Sequence, residues 1–180
     1  RMEIILDNKD LDDLVDGHKI QVSIVKEMGK YKYLGEVVKI IGHKNDPGVD
    51  ILSIIYDHGI NDVFTDEVME EVNELPSEVL DSDRKGRKDL TDMTIFTIDG
   101  DDTKDIDDAI SISKKGENYI LGVHIADVSY YVKEGTALYK EAYSRGTSVY
   151  LVDRVVPMLP HKLSNGICSL NPNVDRLTIS

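Results

Sequence analysis

Residues 97–112 read Thr-Ile-Asp-Gly-Asp-Asp-Thr-Lys-Asp-Ile-Asp-Asp-Ala-Ile-Ser-Ile. Six aspartates (Asp99, Asp101, Asp102, Asp105, Asp107 and Asp108) fall within ten positions of one another. An apolar stretch from Met93 to Ile98 leads in and another from Ala109 to Ile112 leads out, so the acids lie between two strands and not in a solvated tail. Two carboxylates held about 5 Å apart repel by roughly 3 kcal/mol at an effective dielectric of about 20. A fold that gathers several of them needs protons or a cation. Hard oxygen donors at this density suit Mg²⁺ or Mn²⁺, the ions of phosphoryl transfer. The residues alone leave three readings open: metal-dependent phosphoryl chemistry, a structural cation, or a solvated Asp-rich turn. A calcium loop fits poorly, because the EF-hand spacing, its central Gly and its terminal Glu are absent.

Strand parity sharpens the geometry. If a strand starts at 108, Asp108, Ile110 and Ile112 share one face. Asp108 is then expected to point inward with the isoleucines and to need a partner there. The 105–107 stretch is expected to curve as a loop, and Asp99, ending the strand before, can reach the same place.

Taken as a single number, the net charge of −13 over 180 residues argues against a nucleic-acid partner. Its distribution removes that objection. Residues 45–83 hold twelve acids and no Lys or Arg, which leaves −1 for everything else. Without the six clustered aspartates the remainder is +5, a mildly basic surface. The acidic segment itself reads as a solvated helical face. Cys168 is the only cysteine, so an internal disulfide is excluded and a reducing, cytoplasmic setting is expected. No apolar run approaches a membrane span, and the first residues do not read as a signal peptide.

Three regions follow from pattern changes. Residues 1–44 read as β, with strands at Ile20–Val25 and Leu34–Ile41 and a turn through Gly29. Lys30, Tyr31, Lys32 and Tyr33 interleave charge and aromatic rings, as a surface that stacks bases does, or as a plain solvent-facing hairpin does. Only two or three strands are visible, so a closed barrel is not expected. Residues 45–83 read as an acidic helical connector. Asp46 and Pro47 are expected to open a first helix with Val49, Ile51, Leu52, Ile54 and Ile55 as its apolar stripe, ended by Gly59. Thr65 opens a second helix, with Val68, Met69 and Val72 inward. Residues 84–180 begin with the basic run Arg84–Lys88. They then predict strands at 93–98, 108–113, 118–125 and 148–152, helices at 137–144 and 162–168, and a closing strand from Leu177. His124 reads as a satisfied core residue and Cys168 as buried and inert.

The run at 97–112, followed by Gly-Val-His-Ile-Ala-Asp-Val-Ser-Tyr-Tyr-Val (122–132), Arg-Gly-Thr-Ser-Val-Tyr-Leu (145–151), the 157–170 stretch ending Asn-Gly-Ile-Cys-Ser-Leu, and Asp-Arg-Leu (175–177), resembles the start of the catalytic domain of the ribonuclease II/ribonuclease R (RNB exoribonuclease) family. Lys85–Leu90 and Asp46–Ile55 resemble that family's connector. The resemblance implies an α+β chain: a partial β-barrel of OB or cold-shock type over 1–44, a helical connector over 45–83, and the N-terminal part of a mixed α+β RNB catalytic domain over 84–180. It implies a 3′→5′ exoribonuclease that hydrolyses RNA to nucleoside 5′-monophosphates with Mg²⁺, Mn²⁺ being a possible substitute. Asp99, Asp105, Asp107 and Asp108 match the family's active-site and metal-binding aspartates; Asp101 and Asp102 fall outside that set. By the same resemblance Asp99 and Asp108 would hold the main ion, with Asp105 and Asp107 placing a second ion or the attacking water. Tyr150 matches the tyrosine that stacks on a base near the RNA 3′ end. Arg145 is a candidate phosphate contact, or else a helix-end cap.

The family continues well past the equivalent of Ser180. The chain therefore reads as a fragment, which is expected to bind metal weakly and to hydrolyse little RNA alone. The alternative is a non-catalytic RNA-binding or regulatory homologue that keeps the fold. Single-stranded RNA is the expected partner, and no membrane is.

Overall fold

The structure, a computed structural model, describes residues 2–6 and 12–180. Positions 1 and 7–11 of the predicted β region lie outside the described residues. The architecture is α+β, and no sheet among the described residues closes into a barrel. Contacts divide the chain into two units, Arg1–Asp62 with Leu151–Arg154, and Val63–Tyr150 with Val155–Ser180. The division falls inside the acidic 45–83 segment.

In the first unit the two β-branched runs pair as a long antiparallel hairpin, β2 (His18–Gly29) and β3 (Lys32–His43), turning at Lys30 and Tyr31. A short β1 (Glu3–Leu6) runs parallel to β3 on its other edge, giving the order β1-β3-β2. Helix α1 (Val49–Asp57) lies against β3. Its start is tight: a Cβ on Gly42, whose φ is 144°, would sit 2.6 Å from a Val49 methyl. The helix opens two residues later than Asp46 and Pro47 suggest. Gly48, at φ 81°, is its N-cap, while Asp46 accepts from the His43 N–H at 3.1 Å and shapes the turn before it. Only Val49 and Ile55 of the predicted stripe are fully buried, and Ile54 is exposed.

In the second unit α2 (Asp66–Glu74) is capped by the Thr65 hydroxyl and buries Val68 and Val72, whereas Met69 lies at the surface. That apolar edge packs with α4 (Ala137–Arg145), which follows a one-turn α3 (Val128–Tyr131). Glu71 of α2 accepts from the Ala137 and Leu138 N–H groups at 2.9 and 2.8 Å, satisfying two orphan donors at the α4 start. Around this pair gather Leu159, Leu163, Ile167, Cys168 and Leu177 to form the core. The predicted helix at 162–168 is a wide π turn, Leu163–Ile167.

Beside the core stands a four-stranded antiparallel sheet. It comprises β4 (Ile95–Phe96), β5 (Asp108–Lys115), β6 (Asn118–Ala126) and β9 (Thr178–Ile179), in the order β4-β5-β6-β9. The strand expected at 148–152 is only β7 (Val149–Tyr150), paired with β8 (Val155–Val156).

Leu163 is wholly enclosed in the core. Leu163→Ala should therefore lower unfolding free energy by about 3 kcal/mol in urea titration, and a loss under about 1 kcal/mol would contradict this core assignment.

Candidate active site

Topology gathers the aspartates. β4 and β5 are antiparallel neighbours, with Phe96 opposite Ile110. A chain leaving β4 must therefore return to the same end of the sheet to enter β5 at Asp108. The connection at 97–107 brings Asp99 back beside Asp107 and Asp108. Asp101 and Asp102 ride an exposed turn closed by the Thr103 N–H on the Gly100 carbonyl at 3.0 Å.

Parity is as expected, but the covered side is not. Asp108, Ile110 and Ile112 do share a face, opposite Ile125, Val123 and Leu121. That face is the open one, with Ile112 60% and Leu121 62% exposed. The alternate residues Ala109, Ser111 and His124 are the buried ones. On the buried side Gly122 leaves room for a hydrogen bond of 3.0 Å between the Ser111 hydroxyl and His124 Nε2. His124 Nδ1 meets the Ser180 hydroxyl at 2.8 Å, so both ring nitrogens are engaged in the fold. Asp108 thus points to the solvent-facing side of the sheet end, not into the protein interior.

The electrostatics mark one residue. Desolvation raises the Asp107 carboxyl above the usual carboxylate range, and the charges of Asp105, Asp108 and Asp99 raise it further. These four carboxylates share one field. They do not form a closed cage: among the described residues no three His, Cys, Asp or Glu side chains are arranged to hold a metal ion. The donors are nevertheless all carboxylate oxygens, the set that suits a hard divalent cation.

Tyr150 joins the group from β7. Its hydroxyl donates to an Asp105 carboxylate oxygen at 3.2 Å, while the side chain remains 67% exposed. The Asp105 charge is the main reason its phenol is held above the usual range. Arg145 is placed differently. Its side chain is 9% exposed, and the guanidinium pairs with Glu141 at 2.8 Å, donates to the Pro157 and Val63 carbonyls and stacks on Phe64 at 3.9 Å. Those bonds engage it within the fold at the end of α4. The basic run is also internally engaged in part: Arg87 pairs with Asp127 at 2.6 Å and Arg84 with Asp175 at 2.5 Å. A cleft of about 1120 Å³, lined by Arg87, Asp99, Ile106, His124 and Arg176 among others, opens beside the loop.

Ser169 was not singled out by the sequence. It is fully buried, and its hydroxyl donates to the Lys104 carbonyl at 2.8 Å and accepts from the Ile106 N–H at 2.9 Å. It lies 63 and 65 positions from those partners, a separation at which nothing in the sequence pattern marks it.

A carboxylate with a raised pKa binds more protons folded than unfolded, so its ionisation lowers stability as pH rises through its range. Asp107→Asn in chelator-treated buffer at neutral pH should therefore raise the melting temperature, by about 1–3 °C. The gain should shrink as pH falls, when wild-type Asp107 takes up its proton. A lower melting temperature for the variant would contradict the repulsion described.

Residues 87–180 match the RNB domain family and residues 1–65 match the cold shock domain family. Ribonuclease R of Thermotoga maritima is 52% identical over 174 residues, covering 92% of this chain and 24% of its own length. The structure of Mycoplasma genitalium RNase R in complex with double-stranded RNA superposes with a TM-score of 0.90 at 32% identity, over 97% of this chain and 32% of that one. The same protein in complex with ribose methylated single-stranded RNA gives a TM-score of 0.90, over 98% of this chain and 28% of that one. The chain spans about a quarter of the length of the curated relatives it matches. With an RNB domain over more than half its length, the chain belongs to the ribonuclease II/ribonuclease R family.

Proposed function

We propose that these residues carry the metal-binding part of a cytoplasmic 3′→5′ exoribonuclease that hydrolyses single-stranded RNA to nucleoside 5′-monophosphates with Mg²⁺ or Mn²⁺. The observation that carries this reading is the convergence of Asp99, Asp105, Asp107 and Asp108 in one field with Tyr150 bonded to Asp105. The RNA held in the Mycoplasma genitalium RNase R complexes supports the choice of substrate. Among the described residues no helix is long and apolar enough to cross a membrane.

Asp99, Asp105, Asp107 and Asp108 would hold the divalent ions. Bound there, such ions supply an activated water and stabilisation of charge on the scissile phosphate. The chain's own residues do the rest. The carboxylates present a dense negative field that only a cation or protons can offset, so the site is selective for hard cations over neutral ligands. Tyr150 offers an exposed aromatic face next to Asp105, which fixes a base without reading its identity. Its hydroxyl, held by Asp105, orients that ring relative to the carboxylates. Arg145 is left out of the RNA contact, because its donors are engaged within the protein.

A second reading, an RNA-binding homologue without catalysis, is favoured by the open arrangement of the carboxylates. We also propose that residues 1–180 alone turn over little RNA, since the sheet face carrying Asp108 presents Ile112, Leu121 and Val123 to solvent.

The two readings separate in a protein of the relatives' length that contains these residues. The nuclease reading expects Mg²⁺-dependent release of mononucleotides from 3′-labelled single-stranded RNA, reduced by several orders of magnitude in Asp107→Asn. Equal rates for both proteins would refute the role given to Asp107, and RNA binding without any hydrolysis would favour the second reading. Tyr150→Ala should weaken RNA retention by about 1–3 kcal/mol per stacked base while leaving Mg²⁺ dependence in place. An unchanged KM for short RNA would remove Tyr150 from the RNA contact.

A further inference from the structure

The loop that carries the aspartates has little ladder of its own. Its backbone groups must find partners elsewhere, because an unpaired buried amide or carbonyl is costly. Four of them do so in a row. The Lys104 carbonyl accepts from the Ser169 hydroxyl at 2.8 Å, and the Ile106 N–H donates to that same hydroxyl at 2.9 Å. The Ile106 carbonyl accepts from the Leu170 N–H at 2.8 Å, and the Asp107 carbonyl accepts from the Ala126 N–H at 2.9 Å. Asp105 and Asp107 are thus bracketed on both sides by fixed points.

Ser169 supplies two of the four bonds from one oxygen, and its own backbone is held on both sides. It is fully buried, its own N–H donates to the Gly166 carbonyl at 3.0 Å, and its carbonyl accepts from Arg176 Nε at 2.8 Å. The wide turn at Leu163–Ile167, anchored by buried Leu163 and Ile167, delivers it from the core. Lys104 and Ile106 flank Asp105 directly, so the direction in which Asp105 leaves the chain is set by the two bonds to Ser169. The Tyr150 hydroxyl then meets Asp105 where those bonds hold it.

We propose that Ser169 is a positioning residue for the metal-binding carboxylates: its hydroxyl ties the 104–106 backbone to the hydrophobic core and so holds Asp105 and Asp107 in register for a divalent cation. The proposal rests on the reading of the aspartates as metal ligands. Residues that orient metal ligands from behind typically change affinity by about 10–100-fold when removed.

The test is Mn²⁺ binding, followed by the electron paramagnetic resonance signal of free Mn²⁺, in a protein of the relatives' length that contains these residues. Four variants are compared with wild type: Ser169→Ala, Ser169→Cys, Cys168→Ala and Asp107→Asn. Ser169→Cys keeps much of the buried shape and loses most of the hydrogen bonding. Cys168→Ala disturbs the same core next door without touching the loop. The expected result is Mn²⁺ affinity weakened about tenfold or more in both Ser169 variants and unchanged in Cys168→Ala, with the Mg²⁺ concentration for half-maximal RNA hydrolysis shifted in parallel. Wild-type affinity in Ser169→Cys, or a loss matched by Cys168→Ala at the same melting temperature, would overturn the positioning role alone. Wild-type protein that binds no Mn²⁺, or binds it equally well after Asp107→Asn, would overturn the metal site itself and the role of Ser169 with it.

Discussion

Repulsion among like charges is the constraint that organises the second unit. Asp99, Asp105, Asp107 and Asp108 are brought to one end of a sheet, where each raises the proton affinity of Asp107. Their like charges oppose folding at this end of the sheet, so the loop depends on contacts outside itself. It is held from outside. The sheet fixes its two ends through the β4–β5 pairing and the Ala126 N–H of β6, and the core fixes its middle through Ser169 and Leu170. Seen this way, the packing of α2, α4 and the Leu163–Ile167 turn is the support on which a charged site stands. Stability given up at a site is ordinarily recovered in the surrounding structure.

The same logic accounts for where the polar groups went. Glu71, in the acidic segment, caps the start of α4 and is not merely a solvated charge. Arg87 neutralises Asp127, which sits buried at the end of β6, and lies over the Tyr130 ring at 5.0 Å. Arg145 closes α4 and stacks on Phe64. Each of these charges is tied to a helix end or a strand end, whereas the aspartate loop gathers like charges at one end of the sheet.

Much of this was legible in the chain. Apolar periodicity located the hairpin in the first unit, α2, α4 and the strands β5 and β6, because burial of one face leaves a repeating signature. The spacing of the aspartates between two strands pointed to a shared site. What failed did so for a physical reason. Parity put Asp108, Ile110 and Ile112 on one face, but parity does not say which face of a sheet is covered. The bulk of the isoleucines suggested the wrong side, since the residues that are buried, Ala109 and Ser111, are small enough to pass unnoticed. Asp46 looked like a helix cap, yet the chain needed a left-handed residue at Gly48 to turn onto β3. The strand expected at 148–152 shrank to two residues, because only Val149 and Tyr150 find a partner strand. Ser169 was invisible, because its role depends on two partners more than sixty positions away and on no local pattern.

The central claim is that four aspartates, held by a loop tied to the core, form one divalent-cation site. Anomalous diffraction from crystals, grown with Mn²⁺, of a protein of the relatives' length that contains these residues tests it most directly. The account predicts anomalous peaks bounded by carboxylate oxygens of Asp99, Asp105, Asp107 and Asp108, with the Ser169 hydroxyl still bonded to Lys104 and Ile106. Mn²⁺ bound elsewhere, or on Asp101 and Asp102 instead, would contradict it.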